Sequence, residues 1–196
     1  MEDYSFSMFP SETFLDVTIY QYGWEQCTPL HSFGPFVRNH YLFHYILSGS
    51  GRLLPDLPGA EGGACYRLGA GQGFLLTPGR INTYSADKTN PWKYVWVEFD
   101  GLRVPEYLEK AGLSADQPIF NTRSISTGER VRDELMYMAT HPAEAPLHLI
   151  GHLYLFWMRS SRRPRPAART GRDMCGISIS MRRCTISSKI STESYR

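Results

Sequence analysis

NPWKYVWVEFDG, residues 90–101, has the alternating pattern of a β-strand. Successive side chains of a β-strand point to opposite faces, so strict alternation divides the stretch into two sets. One set is Val95, Val97 and Phe99, and the other is Tyr94, Trp96 and Glu98. We expect the first set to pack against the rest of the domain and the second to face a lumen. Trp92, next to Pro91, is expected at the rim.

Short strand-like runs precede this stretch from about residue 13. Glycine and proline separate them, for example in SGSG at residues 48–51 and PGR at residues 78–80. Turn signals spaced by roughly 8–12 residues are typical of an all-β sandwich or barrel.

The pattern changes to helical spacing after Gly101. PEYLEKAG has Pro105 at its start and Gly112 beyond its end, which predicts a short helix. STGERVRDELMYMATH begins with a capping residue, Ser126 or Thr127, and predicts a second helix. PLHLIGHLYLFWMRSS is apolar around most of its circumference, so we expect it to be covered on more than one side. A seam with steps of three and four residues predicts a dimer interface formed by Leu147, Ile150, Tyr154 and Trp157.

Composition and length predict one domain, or one domain with an appendage. The chain has 196 residues and is 42% hydrophobic, and no apolar run reaches the ~18 residues of a membrane span. The N-terminus lacks the basic and apolar regions of a signal peptide. Cys27, Cys65, Cys175 and Cys184 form no CxxC pair. These features indicate a cytoplasmic protein with free thiols.

Charge is distributed unevenly along the chain. Residues 159–196 hold nine arginines and one lysine against two acidic residues, a net charge of +8. Because the whole chain carries +2, residues 1–158 carry −6. Residues 162–196 contain Tyr195 as their sole aromatic residue, so we expect a disordered tail.

Motifs for metal or covalent catalysis are weak. Cupin enzymes hold their metal with clustered histidines, whereas the strand after PGR reads INTY. His148 and His152 lie four residues apart without an obvious third ligand. SGSG lies in a predicted hairpin and not at a nucleophile elbow, and no lysine of a phosphate loop follows Gly69, Gly71 and Gly73. We therefore predict a binding protein with no catalytic residue, metal or cofactor.

Three segments together resemble a known family: HSFGPFVRNHYLFHYILSGSGRL, YRLGAGQGFLLTPGRINTYSAD and PWKYVWVEFDG. Over about residues 15–160 the chain is similar to the N-terminal sensing domain of AraC-type transcriptional regulators of the sugar-responsive branch. The resemblance implies a mostly β, cupin-like double-stranded β-helix, or jelly-roll barrel, that holds a small effector. Two or three α-helices that form a homodimer would follow it.

The implied organisation has four parts. Residues 1–14 would form an N-terminal arm, 15–101 the effector-binding barrel and 102–161 the helical dimerisation segment. Residues 162–196 would be a disordered tail in place of the helix-turn-helix domain that binds DNA in intact family members. A frameshift in the coding DNA is one hypothesis for this tail.

Sugars are recognised by aromatic faces and by a few groups that hydrogen-bond hydroxyls. The guanidinium of Arg38 could engage two neighbouring hydroxyls, or form a surface or dimer salt bridge instead. The resemblance places Tyr84 and Trp96 in the pocket, with Tyr94 where the arabinose regulator has a histidine. Core packing is the alternative role for Trp96 and Tyr94. Further candidates are Asn82, Thr18 and Tyr20.

Three functions follow from these patterns. The first is a non-enzymatic domain that senses a mono- or oligosaccharide and dimerises. The second is a cupin enzyme that processes a small molecule. The third is non-specific nucleic-acid binding through the basic tail.

Overall fold

The computed structural model describes residues 3–9, 14–55, 65–122 and 124–161. The predicted tail and part of the predicted arm lie outside the described residues. The strands are β1 (Tyr4–Met8), β2 (Thr18–Gln26), β3 (Ser32–Val37), β4 (Tyr41–Ser48), β5 (Ser50–Pro55), β6 (Tyr66–Gly69), β7 (Gln72–Leu76), β8 (Ile81–Ala86), β9 (Lys93–Asp100) and β10 (Ile119–Asn121). The helices are α1 (Val104–Ala111), α2 (Ile125–Thr140) and α3 (Pro146–Ser160).

Two antiparallel sheets form the barrel. One has the order β1-β2-β9-β4-β7-β10 and the other β3-β8-β5-β6. From β2 to β9 the chain passes repeatedly between the sheets, so that β2, β4, β7 and β9 lie in one and β3, β5, β6 and β8 in the other. This is the strand order of a jelly roll, the architecture that cupins share. The predicted fold class, a mostly β jelly-roll barrel followed by helices, is confirmed.

Strand β9 is covered on both faces, as its alternation predicts. Val95, Val97 and Phe99 belong to the core between the six-stranded sheet and the helices. Tyr94 and Trp96 face the lumen between the two sheets.

The prediction for Trp92 is wrong. Its side chain is fully buried in the lumen core, and its ring lies 5.7 Å from that of Phe74. The ring has room there because Gly51, on β5, presents no side chain to it.

The helices cover the outer face of the six-stranded sheet. In α1, Pro105 lies in the first turn and Gly112 ends the helix in the left-handed conformation, as predicted. The cap of α2 is Ser124, whose hydroxyl accepts a hydrogen bond from Thr127 N, and not Ser126 or Thr127. Within the described residues, no helix is long and apolar enough to cross a membrane.

A buried carboxylate joins α2 to α3. Glu134 of α2 is 5% exposed, forms an ion pair with Arg159 of α3 and shares a hydrogen bond with His152 of the same helix. Because a buried carboxylate is costly without such partners, this cluster favours one alignment of the two helices.

The predicted seam of α3 is divided between two environments. Ile150 and Trp157 are 4% and 2% exposed and pack in the chain's own core, so in this conformation they offer no surface to a partner. Leu147 and Tyr154 are 70% and 37% exposed. The seam is divided because Ile150 and Trp157 lie at its edge nearer the chain's own core, whereas Leu147 and Tyr154 lie at its outer edge.

The packing of Trp92 on Gly51 leads to a stability prediction. A methyl group at position 51 would lie 2.2 Å from a ring atom of Trp92, whereas one at Gly151 in α3 would meet no atom within 4 Å. We expect Gly51→Ala to lower the free energy of unfolding by about 1–3 kcal/mol through overpacking. We expect Gly151→Ala to raise it by about 0.5–1 kcal/mol through helix propensity. Urea denaturation measures the change in the free energy of unfolding for both variants. Equal changes would contradict the packing of Trp92 on Gly51.

Candidate functional site

The lumen face of the six-stranded sheet is built from three rows of side chains. The central row is Tyr94, Trp96 and Glu98 of β9. The register places Ile46, His44 and Leu42 of β4 beside them on one side, and Glu25, Gly23 and Gln21 of β2 on the other. Each row carries a polar group, so the lumen face is not uniformly apolar.

The deep part of the lumen is filled with aromatic rings. Tyr84 and Tyr94 are 3% and 1% exposed, and their ring centroids lie 6.4 Å apart. The His44 ring stacks on Phe74 at 4.5 Å and meets Tyr94 edge-on at 4.8 Å. We call this cluster, completed by Trp92, the lumen floor.

Burial controls the protonation of the floor. It raises the pKa of Tyr84 and Tyr94 and lowers the pKa of His44 well below its ordinary value, and the charge of Arg38 lowers the pKa of His44 further. These side chains are therefore neutral near pH 7. The Tyr94 hydroxyl donates a hydrogen bond to Glu25 Oε2 at 2.8 Å.

Polar and aromatic side chains meet at the outer end of the rows, which we call the lumen mouth. Glu98, only 6% exposed, is its centre. Its carboxylate accepts hydrogen bonds from Arg38 Nη1 at 3.0 Å and from Gln21 Nε2, and lies 3.2 Å from His40 Nδ1. The Tyr20 ring stacks on His40 at 3.6 Å.

Arg38 has one hydrogen-bond donor that is not used by the described residues. Its guanidinium lies 4.9 Å from the centre of the Phe36 ring and bonds Glu98. Its Nε atom is buried and has no hydrogen-bond partner among the described residues. A buried donor without a partner is costly, so a hydroxyl oxygen placed here would relieve that cost.

Trp96 adjoins this polar cluster and is only partly buried. Its neighbour on β2 is Gly23, so β2 provides no side chain beside the indole. The strand β1 passes so close to Gly23 that a Cβ there would lie 1.9 Å from Ser5 O. Phe6 of β1 lies against Trp96 instead, with the ring centroids 5.8 Å apart.

The structure brings most of the predicted site residues to one lumen, at two depths. Arg38, Trp96 and Tyr20 lie at the mouth, whereas Tyr84 and Tyr94 lie in the floor. Whether any of them contacts an effector stays a prediction.

The other two predicted site residues have local partners. Asn82 is 5% exposed and its Nδ2 donates to Arg80 O at 3.1 Å. Thr18 is separate from the lumen cluster, because its hydroxyl donates to Phe14 O at 2.7 Å.

Sequence reasoning missed Gln21, His40, His44 and Phe6. Alternation along β2 and β4 could have placed Gln21 and His44 on the lumen face, but it does not reveal which strands are neighbours. His40 lies in a turn and Phe6 in the N-terminal strand, where alternation carries no such signal.

A group of potential metal ligands lies at the floor end of the lumen. Ligand atoms of Glu25, Cys27 and His31 all lie within 4.8 Å of one another. Burial is the main cause that raises the pKa of the Cys27 thiol to about 11. The thiol is therefore protonated near pH 7 and is a poor nucleophile.

The fold defines a jelly-roll domain whose lumen is lined by both aromatic and polar side chains. Residues 18–156 match the AraC-like ligand binding domain family. This match covers more than half of the chain, which therefore belongs to that family.

Three curated relatives are named as regulators. The chain is 35% identical over 98 residues to the Msm operon regulatory protein of Streptococcus mutans, a match that covers 50% of this chain and 33% of that protein. It is 36% identical over 89 residues to the raffinose operon transcriptional regulatory protein RafR of Pediococcus pentosaceus, covering 44% and 30%. It is 27% identical over 99 residues to the lactose operon transcription activator of Staphylococcus xylosus, covering 50% and 33%. The chain spans about a third of the length of these relatives.

Among solved structures, the chain is similar to YhaK from Escherichia coli, with a TM-score of 0.42 and 16% identity over 52% of this chain and 46% of that one. It is also similar to a cupin 2 conserved barrel domain protein from Salinispora arenicola, with a TM-score of 0.39 and 18% identity over 53% and 79%.

The neutral His44 makes stability depend on pH. Its folded pKa lies well below 6.5, so below about pH 6.5 the unfolded chain binds a proton that the folded chain excludes. Stability from this residue is present above that pH and is lost as the pH falls. We expect His44→Phe to reduce the pH dependence of the free energy of unfolding between pH 6.5 and 5 by at most about 1.4 kcal/mol for each pH unit. Urea denaturation at several pH values measures this slope, and an unchanged slope would contradict a neutral buried His44.

Proposed function

We propose that this chain contains the effector-sensing domain of a cytoplasmic, sugar-responsive transcriptional regulator. The observation that carries the proposal is the lumen mouth, where the partly exposed Trp96 lies beside the pair of partly exposed Arg38 and buried Glu98, with Arg38 Nε unpartnered among the described residues. An indole covers the C–H face of a sugar ring, and a guanidinium and a carboxylate together bond its hydroxyls as donor and acceptor.

The named relatives support a sugar as the effector class. Two of them are named for the raffinose and lactose operons. The mouth supports the same class, because Gln21, Arg38 and Glu98 offer donors and acceptors with little net charge. A neutral polyhydroxyl ligand fits this balance better than a strongly charged one.

Effector binding would act by favouring one arrangement of the N-terminal strand and the barrel. Phe6 already contacts Trp96, so a sugar that stacks on the indole must either displace Phe6 or share the indole with it. The two arrangements would then differ in their affinity for sugar, which is the requirement for a ligand to shift their populations. We propose no catalytic step.

Sugar binding is tested with a thermal-shift and calorimetric screen of raffinose, lactose and other mono- to trisaccharides. A sugar at 100 times its Kd should stabilise the chain by about 2.7 kcal/mol. We expect Trp96→Ala to raise the Kd at least tenfold, or about 1.4 kcal/mol, through loss of stacking. We expect Arg38→Lys to weaken binding because a lysine lacks the planar fork of donors.

Trp24→Ala is the matched control, because Trp24 lies on β2 but packs on the opposite, helix-facing side of the sheet. It should leave the Kd unchanged. A Trp96→Ala variant that keeps the wild-type Kd would place the pocket elsewhere. Sugar recovered in altered form would favour a cupin enzyme instead.

We also propose a homodimer through the exposed side of α3. Leu147 and Met158 are 70% and 64% exposed there, and Tyr154 lies between them along the helix. Exposed apolar side chains at this spacing form a stripe that a second copy could cover.

The dimer leads to a prediction about mass in solution. We expect Leu147→Glu to raise the dimer Kd at least tenfold, because it would place a carboxylate in an apolar contact. Ile125→Glu is the control, since Ile125 is 83% exposed but lies at the start of α2. Sedimentation velocity over a concentration series distinguishes the two. If both variants dimerise as the wild type does, the interface lies elsewhere.

A further inference from the structure

A mixed set of nitrogen, oxygen and sulfur ligands lies where β2 ends and β3 begins. Glu25 is on β2, Cys27 follows that strand, and His31 precedes β3. His31 Nε2 and Glu25 Oε1 are 3.4 Å apart, and all three ligand atoms lie within 4.8 Å of one another.

The separation of the nitrogen and the oxygen matches a tetrahedral metal site. Zinc binds imidazole nitrogen and carboxylate oxygen at about 2.0–2.2 Å, which places two such ligands ~3.4 Å apart at the tetrahedral angle. The observed 3.4 Å equals this edge. With sulfur at about 2.3 Å the other two edges should be ~3.6 Å. The sulfur lies within 4.8 Å of the other two ligand atoms, so closure requires the thiol to approach by at most about 1.2 Å.

The histidine nitrogen has no hydrogen-bond partner among the described residues. His31 Nε2 is buried and makes no hydrogen bond, although Glu25 Oε1 is close, because the alignment is unsuitable. Buried polar atoms are normally paired, and an unpaired one calls for an explanation such as an ion. Coordination would supply the missing partner.

Backbone hydrogen bonds hold the three residues in place. Cys27 N donates to Trp92 O at 3.1 Å, and His31 N donates to Thr28 O at 3.1 Å across the turn. Ala86 N donates to His31 O at 2.8 Å. The ligands are therefore positioned by the barrel, which reduces the entropy that metal binding must offset.

We propose that Glu25, Cys27 and His31 form a Zn²⁺ site with three protein ligands and one open coordination position. Zinc suits this ligand set, because thiolate and imidazole disfavour Mg²⁺ and Ca²⁺, which prefer oxygen. A thiolate and a carboxylate would also neutralise the two charges of the ion, so that a neutral unit is buried.

Tyr94 connects this site to the floor of the lumen. Its hydroxyl donates to Glu25 Oε2, the oxygen that does not face His31. Such a contact orients a metal-bound carboxylate from outside the coordination shell. A bound ion would therefore hold in place the part of the lumen floor in which Tyr94 packs against Tyr84.

The site is tested on the reduced, metal-stripped full chain with Zn²⁺ and with Co²⁺ as a spectroscopic probe. We expect binding of one Zn²⁺ per chain by competition with a chromophoric chelator, and a thiolate-to-cobalt charge-transfer band with Co²⁺. Cys27→Ser should abolish that band. Each of Cys27→Ser, His31→Gln and Glu25→Gln should raise the Zn²⁺ Kd at least tenfold.

Two matched variants provide the controls. Cys65→Ser removes another thiol, and His148→Gln removes the histidine of the exposed His148–Glu144 pair, so both should keep the wild-type Kd. Circular dichroism of each metal-free variant checks folding, and the partly exposed His31 and Glu25 keep the test valid if Cys27→Ser does not fold. A wild-type chain that takes up no Zn²⁺ at equimolar concentration, or a His31→Gln variant that binds as tightly as the wild type, would overturn the proposal.

Discussion

The structure depends on β9 being buried on both faces. One face packs against the helices and the other lines the lumen, so each apolar residue from Tyr94 to Phe99 packs in one of two cores. A slip of one residue in the pairing of β9 would place Val95 in the lumen and Trp96 in the helix layer. The register therefore aligns the barrel and the helices at the same time. It also makes β9 the physical link between the proposed effector site and the surface of α3.

Glu98 has the corresponding role for the polar part of the site. A carboxylate that is 6% exposed is tolerated because Arg38, Gln21 and His40 surround it. Gln21 comes from β2, and Arg38 and His40 come from the turn before β4. A single buried charge on β9 therefore holds these two segments to β9 at the lumen mouth. Trp96 lies next to Glu98 on the same face, and the apolar and polar halves of the proposed sugar site are thereby held at a constant spacing. The unpartnered Nε of Arg38 is the donor of this network that a bound hydroxyl would satisfy in the proposed sugar site.

Much of the fold could be predicted from local patterns, because alternation and turn residues act over a few positions. The two faces of β9 and the Pro105 and Gly112 ends of α1 are examples. The failures have a common cause. Trp92 is buried because Gly51, distant in sequence, leaves space for its ring, and half of the α3 seam is buried because the barrel covers it. The grouping of Glu25, Cys27 and His31 also escaped motif reading, since it depends on how the chain turns between two sheets.

The sequence by itself determined the strand-rich class, the family, and the face on which each residue of β9 lies. These properties follow from the period of two along a strand and from motifs that are contiguous in the chain. The depth of each lumen residue depends on tertiary packing, which places Tyr84 and Tyr94 in the floor and Arg38 and Trp96 at the mouth. Alternation specifies a face but carries no information about depth, because depth depends on which neighbouring strand, and which side chain or glycine, lies beside each position.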